Sequence, residues 1–417
     1  MVASDTAPPV NVERSTGRPA QLAQPVAGSA RIEAIDIVRG FALFGVLMLN
    51  MLDFAGPTVS FDPWTVSTGW LDKAVELGIR VFGEAAFYST FSFLFGLGFA
   101  LQFERALARG ERFRRRFAVR VTVLLGFGLI HAYLIWSGDI LVQYSITGFF
   151  LLLFAKVRPT VALRWAVGFA LFTIALMSAL VVVGAFEGDP GTPAAIAEEI
   201  DYIRSADFGT LAADRSGDIV GDLIFSLMGV PWFLSLFLVG LWAVRSGKLA
   251  NWRNERTFLI AVLKVALPIA VVAKGLLAFF IVAGETDLAA TWGIILSTFI
   301  GGPAFGAVYV CLVLLALQRA GDGRSVLRHL APVGRMALTN YLMQSVVAVL
   351  FFYGWGLGNY GRFGVATAFL FTLGLFAFQM VVSRLWLARF PYGPMEWVWR
   401  TLTYRARLTG DRAAVRA

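Results

Sequence analysis

Cysteine and histidine are almost missing from this chain. Its 417 residues include one cysteine, Cys311, and two histidines, His131 and His329. That excludes a disulfide framework, and no metal site of the thiolate or histidine-rich kind is expected. Charge is also scarce, at 15% of residues against 58% hydrophobic. A soluble domain of this size cannot hide so much apolar surface, so much of it must face lipid. Acidic residues are outnumbered, 27 against 36 Lys and Arg, for a net charge of +9. There is no phosphate loop, no dinucleotide glycine pattern after a strand, no Gly-x-Ser-x-Gly and no His-Glu-x-x-His. Residues 1–30 lack the apolar stretch of a cleavable signal and read as a disordered cytoplasmic arm. The first apolar segment then serves as an uncleaved signal-anchor.

What the chain does have is long apolar runs. Ten stretches of about 20 residues read as membrane-spanning helices. They lie near 35–54, 80–103, 117–137, 140–157, 162–185, 220–245, 257–283, 290–318, 335–353 and 363–388. The expected fold is all-α: a polytopic membrane bundle over 31–390, with a basic interfacial or cytoplasmic tail over 391–417. Lys and Arg alternate between loops. They crowd 104–120 (Arg105, Arg109, Arg112, Arg114, Arg115, Arg116, Arg120), 155–164, 245–256 and 319–335. Intervening loops are acidic or neutral, as with Asp53, Asp62, Asp72 and Glu76. By the positive-inside rule both termini are cytoplasmic. The basic excess is therefore a topology signal and a match to anionic lipid heads, not a nucleic-acid surface. The largest outer loop, about 186–219, holds a helix-like stretch from Pro193 to Ile203. It reads as a solvated connection or as a cover over a site. After Phe390, the Trp397-Val-Trp399-Arg400 run suits a short interfacial helix.

Polar residues at membrane depth carry the functional signal, because charge there is costly and is usually kept for a reason. Toward the outer side, His131, Asp139, Glu84, Asn50 and Asp53 fall at similar depth. A histidine oriented by Asp139 or Glu84 is a suitable general base. The plainer account is a histidine bonding between helices and an Asp139 that only caps the next helix. Toward the inner side, Arg39 follows Asp36 by one turn. Arg335 starts a helix that continues through Thr339, Asn340, Tyr341 and Gln344. Arginine forks favour phosphate and carboxylate, so an anionic donor entering from the cytoplasm suits Arg39 and Arg335. The plainer account is an Asp36–Arg39 pair and an Arg335 that snorkels to lipid phosphate. Lys274, near mid-membrane, must find a carboxylate or a ligand. Gly301-Gly302-Pro303 and Val230-Pro231 are sites for broken helices, whereas Gly96 and Gly98 mark close packing.

Several motifs resemble one family. Arg31-Ile-Glu-Ala-Ile-Asp36-Ile-Val-Arg39-Gly40-Phe-Ala-Leu-Phe-Gly45 is similar to the opening of the YeiB-like bacterial membrane proteins, whose C-terminal part is domain of unknown function 418. Here that part spans about 220–405. Phe91 through Gly98, Gly128-Leu-Ile-His131, Gly138-Asp139, Gly334 through Ser345, and Gly393-Pro394-Met-Glu396-Trp397 with Arg400 extend the likeness. The family is similar to the transmembrane acyltransferases, which include heparan glucosaminide N-acetyltransferase and the acyltransferase-3 proteins. The resemblance implies a bacterial inner-membrane protein that moves an acyl group from a coenzyme A thioester, as co-substrate, to an amine or hydroxyl of a small molecule or glycan. It carries an essential-histidine role to His131 alone. The acyltransferase-3 pattern of Arg followed by His in the first helix is absent, since Arg39 is followed by Asn50. In the enzyme reading, Asp36, Arg39, Arg335 and Asn340 hold the donor, and His131 with Asp139 or Glu84 is the base. Asn50 or Asn340 stabilises the oxyanion, and Gln344 and Lys274 join Asn50 at the acceptor. The alternative is a transporter of a polar or anionic molecule or lipid, with Lys274, Arg39 and the broken helices along its path.

Overall fold

The computed structural model describes residues 28–57, 69–110, 113–183, 192–217, 219–249, 252–284, 288–321 and 325–403. The arm 1–27, Asp62, Arg112, residues 184–191 of the loop near 186–219 and the tail beyond 403 lie outside them. In chain order the helices are α1 (Gly28–Ala55), α2 (Trp70–Gly83), α3 (Ala86–Ala108), α4 (Phe113–Ile130), α5 (Leu141–Leu151), α6 (Pro159–Val182), α7 (Pro193–Ser205), α8 (Phe208–Arg215), α9 (Ile219–Arg245), α10 (Arg256–Ala283), α11 (Leu288–Leu296), α12 (Gly302–Ala320), α13 (Ala331–Arg335), α14 (Ala337–Phe352) and α15 (Val365–Leu387). Residues 394–403 form a last helical stretch. Among the described residues there is no strand.

The expected polytopic helical membrane bundle is present, with its spans less uniform than composition suggests. Among the described residues eight helices are long and apolar enough to cross a membrane, or nine if the bent pair Val326–Arg335 and Ala337–Phe352 is one span. The stretch expected over 80–103 belongs to a rod from Trp70 to Ala108, interrupted at Glu84 and Ala85. Ala85 takes a left-handed φ of 62°. The stretch over 335–353 is bent by 84° where α13 meets α14, and α5 is a shorter apolar helix ending in a 3₁₀ turn at Phe154. Hydropathy reports how much apolar chain is present, but it is blind to where the axis breaks.

Two tight crossings set the frame. A Cβ on Gly96 of α3 would lie 1.9 Å from the Phe237 carbonyl of α9, and one on Gly240 would lie 2.1 Å from the Phe93 carbonyl. Only glycine allows such an approach. Similarly, Gly334 of α13 sits against the Asp36 carbonyl of α1, and Gly40 sits against the Leu330 carbonyl. That contact brings Arg39 and Arg335, far apart in sequence, to one place. Packed along α9, α6 turns Trp165, Leu171, Phe172 and Val182 outward, as a lipid-facing helix must.

The described part of the connection between α6 and α9 is more than a solvated link. Arg204 of α7 donates to the Tyr360 carbonyl at 2.6 Å, the Gly354 amide donates to the Ile203 carbonyl at 3.0 Å, and the Tyr360 hydroxyl donates to Glu199 at 2.6 Å. Ala206 and Leu211 then pack into the same buried cluster as Phe54 and Trp136.

Candidate functional site

A cavity of about 370 Å³ runs between α1, α3, α4, α5, α13, α14 and the 394–403 helix. On α3 its lining extends from Tyr88 to Gln102, which is about 21 Å at 1.5 Å per residue. The space is therefore long and narrow. At one end stand Arg39, Arg120, Arg335 and Arg400, with Gln102, Tyr392, Glu396 and Trp399. The middle is apolar, with Leu43, Val46, Phe91, Leu94, Phe95 and Leu124. At the other end are Tyr88, Tyr144, Tyr341, Ile140 and Leu141.

The arginines are positioned, not loose. Arg39 pairs with Asp36 at 2.8 Å and reaches the Gly334 carbonyl at 3.4 Å. Arg120 stacks under the Trp399 ring at 3.7 Å, while the Trp399 indole donates to the Arg120 carbonyl at 2.8 Å. Arg400 lies over Tyr392. The 394–403 helix is held by Glu396, which accepts from the Leu338 amide at 2.7 Å, the Thr339 amide at 3.1 Å and the Thr339 hydroxyl at 2.5 Å. This carboxylate caps the start of α14, where exposed amides favour an anion. Burial pushes its pKa above the ordinary glutamate value, and the Thr339 and Leu338 donors oppose that shift.

Just behind the tyrosine end lies a His–Asp dyad. His131 Nδ1 is 2.8 Å from Asp139 Oδ1, and the imidazole is fully buried. Asp139 Oδ2 accepts from the Val142 amide at 2.6 Å, so one carboxylate both orients the ring and caps α5. The ring sits at the start of a π turn over His131–Ile135, closed by Trp136 N–H to the His131 carbonyl at 2.8 Å. Gly128 lets α5 fold back closely, since a Cβ there would lie 2.6 Å from the Val142 nitrogen. Tyr341, a cavity wall, lies 5.1 Å from the imidazole, centroid to centroid. His131 Nε2 is buried without a hydrogen-bond partner. With Nδ1 bound to a carboxylate, Nε2 is the atom left to exchange a proton.

The other sequence candidates fall elsewhere. Glu84 stands at the α2–α3 break, and its carbonyl accepts from Lys274 at 2.8 Å; the break meets α10, not the dyad. Asn50 is half-buried on α1 and is not among the cavity-lining residues. Asn340 donates to the Val333 carbonyl at 3.2 Å and to Ser383 at 2.9 Å. Gln344 donates to Gln379 at 2.8 Å, and Gln379 donates to the Asn340 carbonyl at 2.8 Å. These amides form a buried ladder between α14 and α15 instead of lining the cavity. Among the described residues no group of three His, Cys, Asp or Glu is placed to hold a metal ion. In the sequence Arg120 is a topology signal and the Trp397–Arg400 run an interfacial anchor. Both signals were visible, but nothing local said that they meet.

Residues 243–406 match a family described as protein of unknown function (DUF418). The chain is 35% identical over 402 residues to the uncharacterized protein YxaH of Bacillus subtilis (strain 168), covering 91% of this chain and 96% of that protein. It is 28% identical over 389 residues to the uncharacterized protein YeiB of Escherichia coli (strain K12), covering 89% and 96%. It is 29% identical over 399 residues to an uncharacterized 39.9 kDa protein in the amylase 3′ region of Bacillus acidopullulyticus, covering 92% and 96%. With this extent of likeness to YxaH and a family match over its C-terminal part, the chain belongs to the DUF418 family of membrane proteins.

Proposed function

We propose that this protein is an acyltransferase of the bacterial inner membrane, moving an acyl group from a coenzyme A thioester to an amine or hydroxyl. The observation that carries this reading is the cavity itself: arginines at one end, a narrow apolar middle, and a His–Asp dyad just past the other end. The positive-inside rule puts the arginine end in the cytoplasm, where such a thioester is available. Arg39, Arg335, Arg120 and Arg400 would hold its phosphates. The thin arm would lie along Leu43, Phe91, Leu94 and Phe95. The thioester would then reach Tyr88, Tyr144 and Tyr341, with Tyr341 yielding to admit His131. The acceptor's oxygen or nitrogen bonds to the carbonyl carbon while its proton passes to His131 Nε2. The carbon–sulfur bond breaks, and the imidazolium returns the proton to the departing thiolate. Asp139 holds the ring and stabilises its charged form.

The test uses the purified full chain in lipid nanodiscs. Titration with acetyl-coenzyme A by calorimetry should show binding that Arg39→Ala weakens. His131→Gln should bind the donor but transfer nothing. Absence of donor binding would end this reading. Movement of a solute across proteoliposomes with no covalent product would put transport in its place.

A further inference from the structure

The cavity and dyad leave one costly feature unexplained: Lys274. It lies in mid-α10 and is 1% exposed. Its ammonium donates to the Glu84 carbonyl and to the Ser297 hydroxyl, both at 2.8 Å. Neither acceptor is an ordinary helical residue. Glu84 closes the C-terminal end of α2, just before Ala85 in its left-handed conformation. Ser297 opens a π turn, Ser297–Gly301, between α11 and α12. Two interrupted helices thus end on one buried cation.

The surrounding packing is built to bring them there. A Cβ on Gly302 would lie 2.3 Å from the Ala85 Cβ, and one on Gly301 would meet Ala273 at 3.0 Å and the Lys274 chain at 3.5 Å. Glycine at both positions lets the π turn close against the α2–α3 break and against α10. A second side chain serves the same helix end, since the Tyr309 hydroxyl donates to the Phe82 carbonyl. Interrupted helices inside membranes need such partners, because lipid offers none. Helix C-terminal ends and unwound carbonyls attract cations.

We propose that the two interrupted helices build a monovalent-cation site, which in this chain is filled by the tethered ammonium of Lys274. The site takes a small cation through the Glu84 carbonyl and the Ser297 hydroxyl. The site adjoins the cavity, since Tyr88, four residues after Glu84 and in the first turn of α3, lines the cavity wall.

The experiment measures thermal unfolding of the purified full chain in nanodiscs. Lys274→Ala opens the site, and Lys274→Met fills it without charge. Each is compared with wild type in sodium, potassium, ammonium and choline chloride at equal ionic strength. In choline, both variants should unfold several degrees below wild type. Ammonium, or sodium and potassium, should restore at least half of that loss in Lys274→Ala and none in Lys274→Met. Wild type should not distinguish the four salts. Lys274→Met as stable as wild type would overturn the proposal, as would Lys274→Ala responding equally to choline. If Lys274→Ala cannot be recovered from membranes, Ser297→Ala decides. A lowered midpoint supports the site, and an unchanged one overturns it.

Discussion

His131 and Lys274 are both basic side chains shut away from solvent, yet they are housed in opposite ways. Lys274 has its ammonium directed at two oxygens from two broken helices. His131 has one nitrogen fixed by Asp139 and the other without a hydrogen-bond partner. The amide ladder of Asn340, Gln344 and Gln379 matches its NH2 donors in the same way, although Asn340 Oδ1 and Gln344 Oε1 have no partner and lie away from the cavity. A polar group whose donors are matched inside the fold holds helices together. One kept with an open position is a candidate for exchange with something that arrives. The lesson is that burial alone does not mark a site; an unmatched atom beside a cavity does.

The sharpest way to break this contrast is His131→Gln, which keeps a partner for Asp139. It should lower acyl transfer at least about a hundredfold, the low end for loss of a general base. Its unfolding temperature and membrane insertion should stay close to wild type. Retained transfer would remove the distinction. Gln379→Leu tests the other side. Leaving the Gln344 amide and the Asn340 carbonyl unmatched should cost about 1–3 kcal/mol of stability, read by thermal unfolding, with donor affinity unchanged at permissive temperature. Arg39→Ala should raise the KM for the donor about tenfold, equal to about 1.4 kcal/mol, with little change in kcat and a weaker dependence on salt. The smallest effect is expected from Trp399→Phe. It keeps the aromatic face over Arg120 but loses the indole donor to its carbonyl, so donor KM should rise about twofold or less, about 0.5 kcal/mol.

The bundle was legible because a membrane demands apolar runs of a set length, and 31–390 supplies them. Where those runs break was not. Ala85 carries no sequence mark of its left-handed turn, and the 84° bend at Met336 hides inside an apolar stretch. The same blindness misplaced Glu84. Its depth suited His131, but depth says nothing about rotation or about an interrupted axis. Asp139 was easier to place, because a Ser-Gly-Asp hairpin confines it to the turn between α4 and α5. Arg39 and Arg335 stand out in the sequence as candidate anion ligands from their chemistry. Their meeting depends on Gly40 and Gly334 touching carbonyls across the chain, which no local pattern reveals. Arg120 and Trp399 were out of reach for the same reason.

The Glu396 cap also has a bearing on biosynthesis. Glu396 and Trp399 emerge from the ribosome after α15, yet they wall the mouth assembled from α1, α4 and α14. While the earlier helices are being inserted, the start of α14 has no such anion on its amides. The arginine end of the cavity is therefore completed last, as a docking step after the earlier helices are in place.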